Sequence, residues 1–390
     1  MRLELLRSLT EASGPFATFS HDASRVDLTE RHEVEVRWEA AARSLAAQGA
    51  PPAVVAAVGE RALSSTGRAG SVGRVVVANL DGVLLDLVLP QRPARDAASW
   101  GRAPCLLPVF RSLSSTTRYA VARVDRAGAD LEVVGLFGEA AEEQTVEGGH
   151  DVLHKVPGGG WAQYRYQTRV EDSWQRNAAA VAHELEGLVR RHRPQLVLLE
   201  GDEQAMAALQ QQAGAELAGR LVRLRTGGRA EGTSAEAEQE AITAAVVLHV
   251  RQERQRLLER FAAALAKRQE GVDGRGAVVD ALRRGQVEEL LVNHDHPADA
   301  TLWVGAKPLQ LGVTREDAVA AGAEDPAEQS AEAVLVWAAL ACDAGVSVLD
   351  PDDPRLVEGV GALLRWSDPA TVHNPAAGPP ADRAAPVPES

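Results

Sequence analysis

The chain reads as a mixed α/β protein of three domains, the central one carrying a protruding glycine loop and the C-terminal one forming an α/β sandwich. Three observations carry that expectation. Apolar β-type runs alternate with stretches of helical period through the middle and end of the sequence, the pattern of sheets layered with helices. A glycine-rich break at 226–234 separates the middle of the chain from a part that opens with a long helix. A length of 390 residues, 45% apolar and 25% charged, suffices for two or three separate cores. The expected segments are an N-terminal α/β domain at 1–115, a central domain at 116–228, a C-terminal α/β domain at 235–368 and a proline-rich, disordered tail at 369–390.

The first domain opens with a short helix-like start and a polar loop. Apolar residues at helical intervals predict a helix over 34–48 with Gly49 as its stop, and Pro51-Pro52 restarts a second helix through Leu63. Residues 64–74 form a flexible basic loop. It lacks a Gly-Lys-Ser/Thr ending and precedes a strand rather than a helix, so it is no phosphate-binding loop. Arg68 and Arg74 make it a candidate RNA-contacting arm, with a mobile linker as the plainer reading. Strands at 75–78 and 83–89 follow, joined by the turn Asn79-Leu80-Asp81-Gly82.

In the central domain, 119–124 and 131–136 are strands around a turn at 125–130. A long helix beginning at Trp161 or Val170 runs to Arg191, with Ala178, Val181, Leu185 and Leu188 on one face. Residues 195–201 form a buried strand ending in a glycine turn, and 204–212 the next helix. The third domain comprises helices at 235–268, 276–284 and 331–344 and strands at 288–291 and 346–349; residues 359–366 close its sheet.

The candidate functional segment lies between strand and helix of the central domain. It runs His154, Lys155, then Gly158-Gly159-Gly160, Trp161, Gln163, Tyr164 and Arg165, and continues to Arg169 and Arg176. Three glycines allow positive φ and a close approach to another surface. Arg165 and Arg169 stand at helical i, i+4 spacing behind that tip. An uncharged, pliant tip on a basic stem suits a phosphate-lined cavity. Trp161, Tyr164 and Tyr166 add rings that stack on unpaired bases, each contact contributing about 1–3 kcal/mol. The plain alternatives are a surface turn and a solvated helix face with Glu171 and Asp172 as partners; Trp174 reads as core, and Arg190, Arg191 and Arg193 as a charge cluster favouring the helix C-terminus.

These residues, together with 194–201 and with the pair 279–292 and 359–366, resemble the archaeo-eukaryotic class-1 release factor and Pelota superfamily, in its bacterial branch. The resemblance covers the middle and last thirds in order, and the first third shows no codon-reading motif. It implies that the glycine loop enters the ribosome's peptidyl transferase centre and that the first domain faces the small subunit. The expected partners are therefore the ribosome, through rRNA of both subunits at the A site, and elongation factor Tu beside it. One departure matters. With Gly159-Gly160 laid on the family's glycine pair, Ala162 and Arg165 fall on its small residue and arginine, and the family glutamine falls on Trp161. An indole has one donor and no acceptor, so it is a poor stand-in for a carboxamide that places a water. Gln163 lies two residues late. The expectation is a hibernation or stress factor, a monomer that binds without hydrolysis; the rivals are a peptidyl-tRNA hydrolase or rescue factor using Gln163, and a stress-linked binding module acting off the ribosome.

Charge and cysteine usage bound the rest. A net charge of −14 argues against a generic nucleic-acid coat protein and confines RNA binding to local basic surfaces. Cys105 and Cys342 are far apart and read as buried thiols of a reducing cytoplasm. The N-terminus has no secretory pattern, and no apolar run reaches the roughly 18 residues of a membrane span. His150 with His154, and His294-Asp295-His296, lack a third ligand, so neither a metal nor another cofactor is expected.

Overall fold

A computed structural model of the chain describes residues 4–24, 28–68, 70–125, 127–147, 161–224, 235–293 and 300–373, without the side chains of residues 4, 28–31 and 161–174. It divides into two compact units, one made of Met1–Ser114 with Arg254–Ser390 and the other of Ser115–Glu253. The fold is mixed α/β, as the sequence predicts.

In the N-terminal segment, α1 (Ser8–Glu11) leads to β1 (Phe16–Asp22). Helices α2 (Leu28–Ala47) and α3 (Pro52–Leu63) follow, then β2 (Gly73–Asn79), β3 (Gly82–Leu89), β4 (Ala97–Gly101) and α4 (Leu107–Leu113). The four strands form an antiparallel sheet in the order β3-β2-β1-β4. The sequence reading treated the β1 region as helix-like start and polar loop, because Thr18, Ser20 and His21 interrupt its apolar pattern. Burial on both faces explains the strand. Ala17 and Phe19 meet Leu45, Val54 and Val58 of the helices, while Phe16 lies edge-on to Trp337 at 5.8 Å.

The central unit contains β5 (Tyr119–Val124), β6 (Gly128–Val134), β7 (Ala140–Glu147), α5 (Trp161–His192), β8 (Leu196–Gly201), α6 (Glu203–Gln212), α7 (Ala215–Ala218), β9 (Leu221–Arg223) and the first part of α8 (Ala235–Lys267). Its sheet runs β7-β6-β5-β8-β9, with β5, β8 and β9 parallel and β6 and β7 antiparallel. Alternation along the strands sorts the two faces. Ala120, Ala122, Val124, Val197 and Leu199 meet α5 and α6, and Val121, Leu196 and Leu198 meet Ile242 and Val246 of α8. The sequence reading missed β7. Its residues alternate between exposed and half-buried, and charged side chains hold it at the sheet edge, where they discourage pairing with another chain.

The C-terminal segment adds β10 (Gly271–Asp273), α9 (Arg275–Arg283), β11 (Val287–Asn293), β12 (Thr301–Val304), β13 (Leu311–Gly312), α10 (Arg315–Ala320), β14 (Ala327–Ser330), α11 (Ala331–Ala341), β15 (Gly345–Leu349) and β16 (Val360–Leu364). Residues 359–366 do not close the sheet at an edge: β16 inserts between β10 and β11 in the order β10-β16-β11-β15. Leu258, Phe261 and Leu265 of α8 cover this sheet through Leu291, Leu349 and Leu363.

Where the sequence reading separates 1–115 from 235–368, the structure joins them in one unit. Every residue of α11 from Ala333 to Leu340 is apolar and buried, so this stretch needs cover on every side. Trp337 is fully buried, and its indole N–H donates to the Leu9 carbonyl at 3.0 Å. Gln329 clasps Ala103, accepting from its N–H at 2.9 Å and donating to its carbonyl at 2.6 Å. Arg111 pairs with Glu332 at 2.9 Å. The tail also differs from expectation at its start. Thr371 is buried and accepts from Gln286 Nε2 at 3.1 Å, which seats 369–373 against the sheet. Residues 374–390, the 226–234 break and His294-Asp295-His296 lie outside the described residues.

Among the described residues no helix is long and apolar enough to cross a membrane, and no group of three or more His, Cys, Asp or Glu side chains is placed to hold a metal ion. Both cysteines are free thiols, and burial pushes each up to about 11.

Candidate nucleic-acid interface

Four strand ends meet at one end of the central sheet. Val124 pairs with Gly201, and Gly128 with Glu147, so β5 and β8 finish where β6 begins and β7 ends. Two glycines permit this crowding. A Cβ on Gly201, whose φ is +129°, would stand 1.8 Å from the Val124 carbonyl oxygen, and one on Gly128 would stand 1.9 Å from that of Val146. The chain then turns into α6, where Asp202 caps the helix by accepting from the N–H groups of Gln204 and Ala205 at 2.9 and 3.0 Å. Asp125 closes the β5–β6 turn in the same way, accepting from the N–H groups of Ala127 and Gly128 at 2.8 Å each.

In the chain, the glycine segment lies between β7 and α5. Its flanks are Glu147, the last residue of β7, and Trp161, the first residue of α5. His154, Lys155, Gly158, Gly159, Gly160 and His150 lie outside the described residues. The helix therefore starts at Trp161 and not at Val170, and Gln163 is its third residue.

Around α5, the core face comprises Ala178, Val181, Ala182, Leu185, Leu188 and Val189, all buried. At about 100° per residue, positions 165, 169 and 176 fall within about 40° of one another. Their stripe centres about 160° from Ala178, on the helix side away from the core. Arg176 is exposed there, and the next residue, Asn177, is already buried. The side chains of Trp161, Gln163, Tyr164, Arg165, Arg169 and Trp174 are not among those described. The other end of α5 spends its charge internally. Arg191 and His192 approach Glu142 of β7 at 2.7 and 2.6 Å, and Arg191 foremost, then His192, hold that carboxyl below the usual carboxylate range.

Arg74 is a correction. It is 4% exposed and makes a two-pronged ion pair with Asp86 of β3, both contacts at 2.7 Å, with further bonds to the carbonyl and hydroxyl of Ser64. A guanidinium so committed cannot also contact phosphate, because releasing it would strand Asp86. Arg68 is half-buried in the loop above, and its N–H meets the Thr66 hydroxyl at 3.4 Å. The sequence reading also missed Arg123. Its guanidinium bridges Glu132 at 3.0 Å, Glu200 at 3.1 Å and Glu238 at 2.6 Å, tying three strands and α8 together. The signal for it was available in principle, since Arg123, Glu132 and Glu200 each occupy the α8-facing register of their strands.

Residues 118–267 match the sequence model of bacterial archaeo-eukaryotic release factor family 2, a span that takes in the sheet just described together with α8. An uncharacterized protein of Mycobacterium tuberculosis, Rv2629 in strain H37Rv and MT2704 in strain CDC 1551, is 27% identical over 374 residues, covering 94% of this chain and 97% of its own length. Among solved structures, Archaeoglobus fulgidus Pelota is 15% identical with a TM-score of 0.34, over 76% of this chain and 84% of its own. Archaeal Pelota in a ribosome-bound model with ABCE1 is 16% identical with a TM-score of 0.37, over 93% of each chain.

Proposed function

We propose, taking residues 118–267 as a domain of the bacterial branch of the archaeo-eukaryotic release-factor superfamily, that this protein is a ribosome-associated translation factor. It fills the vacant A site, aims the glycine segment at the peptidyl transferase centre and blocks tRNA entry by occupancy, as a hibernation or stress factor does. Residues 1–115 face the small subunit, and elongation factor Tu is the expected neighbour. The protein works in the cytoplasm as a monomer, without peptide hydrolysis and without a cofactor.

One observation carries the non-hydrolytic reading: α5 begins at Trp161. The residue at the family's glutamine position is thus an indole at the tip of the stem. Gln163 stands about 3 Å further along the axis and about 200° around it. Orientation catalysis loses about a hundredfold for a misplacement of about 1 Å, so the Gln163 carboxamide does not replace the missing one. Arg176 is exposed on the helix side away from the core, and positions 165 and 169 fall on the same stripe of the helix, which supports the RNA contact.

The test has two arms. Sucrose-gradient sedimentation with vacant ribosomes should carry the protein into the ribosomal fraction; recovery only at the top of the gradient excludes a ribosomal role. Ribosomes loaded with peptidyl-tRNA should retain their peptide when the protein is added. Release that disappears in Gln163→Ala would establish the hydrolase instead.

A further inference from the structure

A groove of about 210 Å³ runs beside the last turns of α8, within the unit that holds the C-terminal sheet. Ala263 and Ala264 of α8 and Leu363 and Leu364 of β16 supply apolar surface to it, and Arg260, Lys267, Gln269 and Glu270 supply polar groups. At about 100° per residue, Arg260, Ala263, Ala264 and Lys267 share one side of the helix. The Arg260 side chain is 59% exposed and reaches Glu288 of β11 at 3.2 Å. Lys267 is exposed and has no ion-pair partner among the described residues.

The chain itself leads to this groove. Beyond β16, residues 365–373 cross the end of the sheet as a strap. The Arg365 N–H donates to the Gln286 carbonyl at 2.7 Å, Arg284 pairs with Asp368, and Thr371 accepts from Gln286 Nε2 at 3.1 Å. The last contact is His373 Nδ1 on the Gly271 carbonyl at 3.2 Å. Gly271 opens β10 and directly follows Gln269 and Glu270 of the groove. The strap thus passes from the β11 side of the sheet to the β10 side and ends beside the opening.

We propose that the next residues, 374–382, dock in this groove, with Pro375, Ala376 and Ala377 on the apolar surface and Asp382 on the cations of α8. Composition suits that place. Prolines at 375, 379 and 380 carry no N–H, so laying them on alanine and leucine strands fewer backbone donors. Their fixed φ also lowers the cost of ordering the segment. Asp382 is the first acidic residue after Asp368. Nine residues of extended, proline-type backbone reach about 28 Å from His373. Lys267 and Arg260 stand about 10 Å apart along the helix, so Asp382 reaches either with slack for a turn at Gly378. Tethering completes the case: at millimolar effective concentration, a weak contact of about 0.2 mM affinity is occupied about five times as often as it is open. Docked, the tail lengthens the strap and covers the cationic side of α8.

The experiment measures lysine acetylation in the full chain, residue by residue, by mass spectrometry. Lys267 should react about fivefold more slowly than in a variant whose residues 374–390 are replaced by Gly-Ser repeats of equal length. Lys307, exposed elsewhere in the same unit, should react alike in both and so reports that the fold is intact. Asp382→Lys should lose most of the protection. Ala263→Cys combined with Ala377→Cys should oxidise to a disulfide within one chain. Equal Lys267 rates with the native and the replaced tail, protection unchanged in Asp382→Lys, or no disulfide overturns the docked tail. Disulfides formed only between chains, with protection that grows with protein concentration, give the groove to a second copy's tail and overturn the intramolecular contact.

Discussion

Arginine plays opposite parts in the two basic segments of this molecule. Arg74 ends a Gly- and Ser-rich loop and enters β2, a strand buried along its whole length, so its charge is drawn beneath the sheet and paired with Asp86. Arg176 sits on a helix that gives its core only one stripe, so the opposite stripe stays in solvent. Charge density is similar in both segments. What separates them is the number of faces the element must bury, and that decides whether a guanidinium is drawn into the fold or stays at the surface.

The largest expected effect comes from breaking the buried side of this contrast. Arg74→Ala leaves Asp86 without its counter-charge and should lower unfolding free energy by about 3 kcal/mol or more in urea denaturation. The double substitution Arg74→Met with Asp86→Leu should recover most of that loss, and neither protein should change its ribosome sedimentation while folded. A retained stability in Arg74→Ala would return the loop to candidate RNA contacts.

His21, opposite Arg74 in the strand register, sharpens the same point through pH. It is fully buried, stacks on Phe19 at 4.5 Å, and its Nε2 has no hydrogen-bond partner. Burial pushes it down from 6.5 to about 4, against the opposing pull of its bond to the Asp22 carbonyl. The unfolded chain therefore binds the proton more readily. This contribution is complete above pH 6.5, falls as pH drops toward 4 and then levels, a loss of about 3 kcal/mol. His21→Leu should flatten that part of the stability profile; an unchanged slope between pH 6.5 and 4 would refute the assignment.

On the outward side, the combined substitution of Arg165, Arg169 and Arg176 by alanine should leave the melting temperature nearly unchanged and weaken ribosome binding about tenfold. The slope of log affinity against log salt should fall by about 2, which fluorescence titration at several ionic strengths measures. A lost fold with an unchanged slope would make the stripe structural. The smallest effect is reserved for the far end of α5. Glu142→Gln removes a half-buried edge-strand partner of Arg191 and His192 and should shift the melting temperature by no more than about 2 °C.

Local pattern made much of this fold legible. Helical spacing with Gly49 and Pro52 marks α2 and α3, and the turn at 79–82 sets the β2–β3 hairpin. The strand ending at Gly201 followed by a capped helix is equally plain, because each of these signals lies within a few residues. β1 and β7 were not legible. One is a polar-interrupted strand buried on both faces and the other a charged edge strand, so each owes its state to neighbours remote in sequence. The candidate surfaces divide along the same line. The glycine-to-arginine segment could be picked out by composition and spacing, whereas the groove beside α8 draws on residues from 260 to 364 that only the C-terminal sheet brings together.

Sequence by itself determined the periodicities: which helix has one apolar stripe, where glycine must stand, and that an indole follows the glycines. Tertiary structure alone decided that residues 1–114 and 254–390 share a core around Trp337, that Arg74 turns inward, and that β16 inserts in mid-sheet. The physical reason is range. Dihedral preference and helical or strand period act over a few residues, while burial and ion pairing depend on which distant surfaces the closed chain brings into contact.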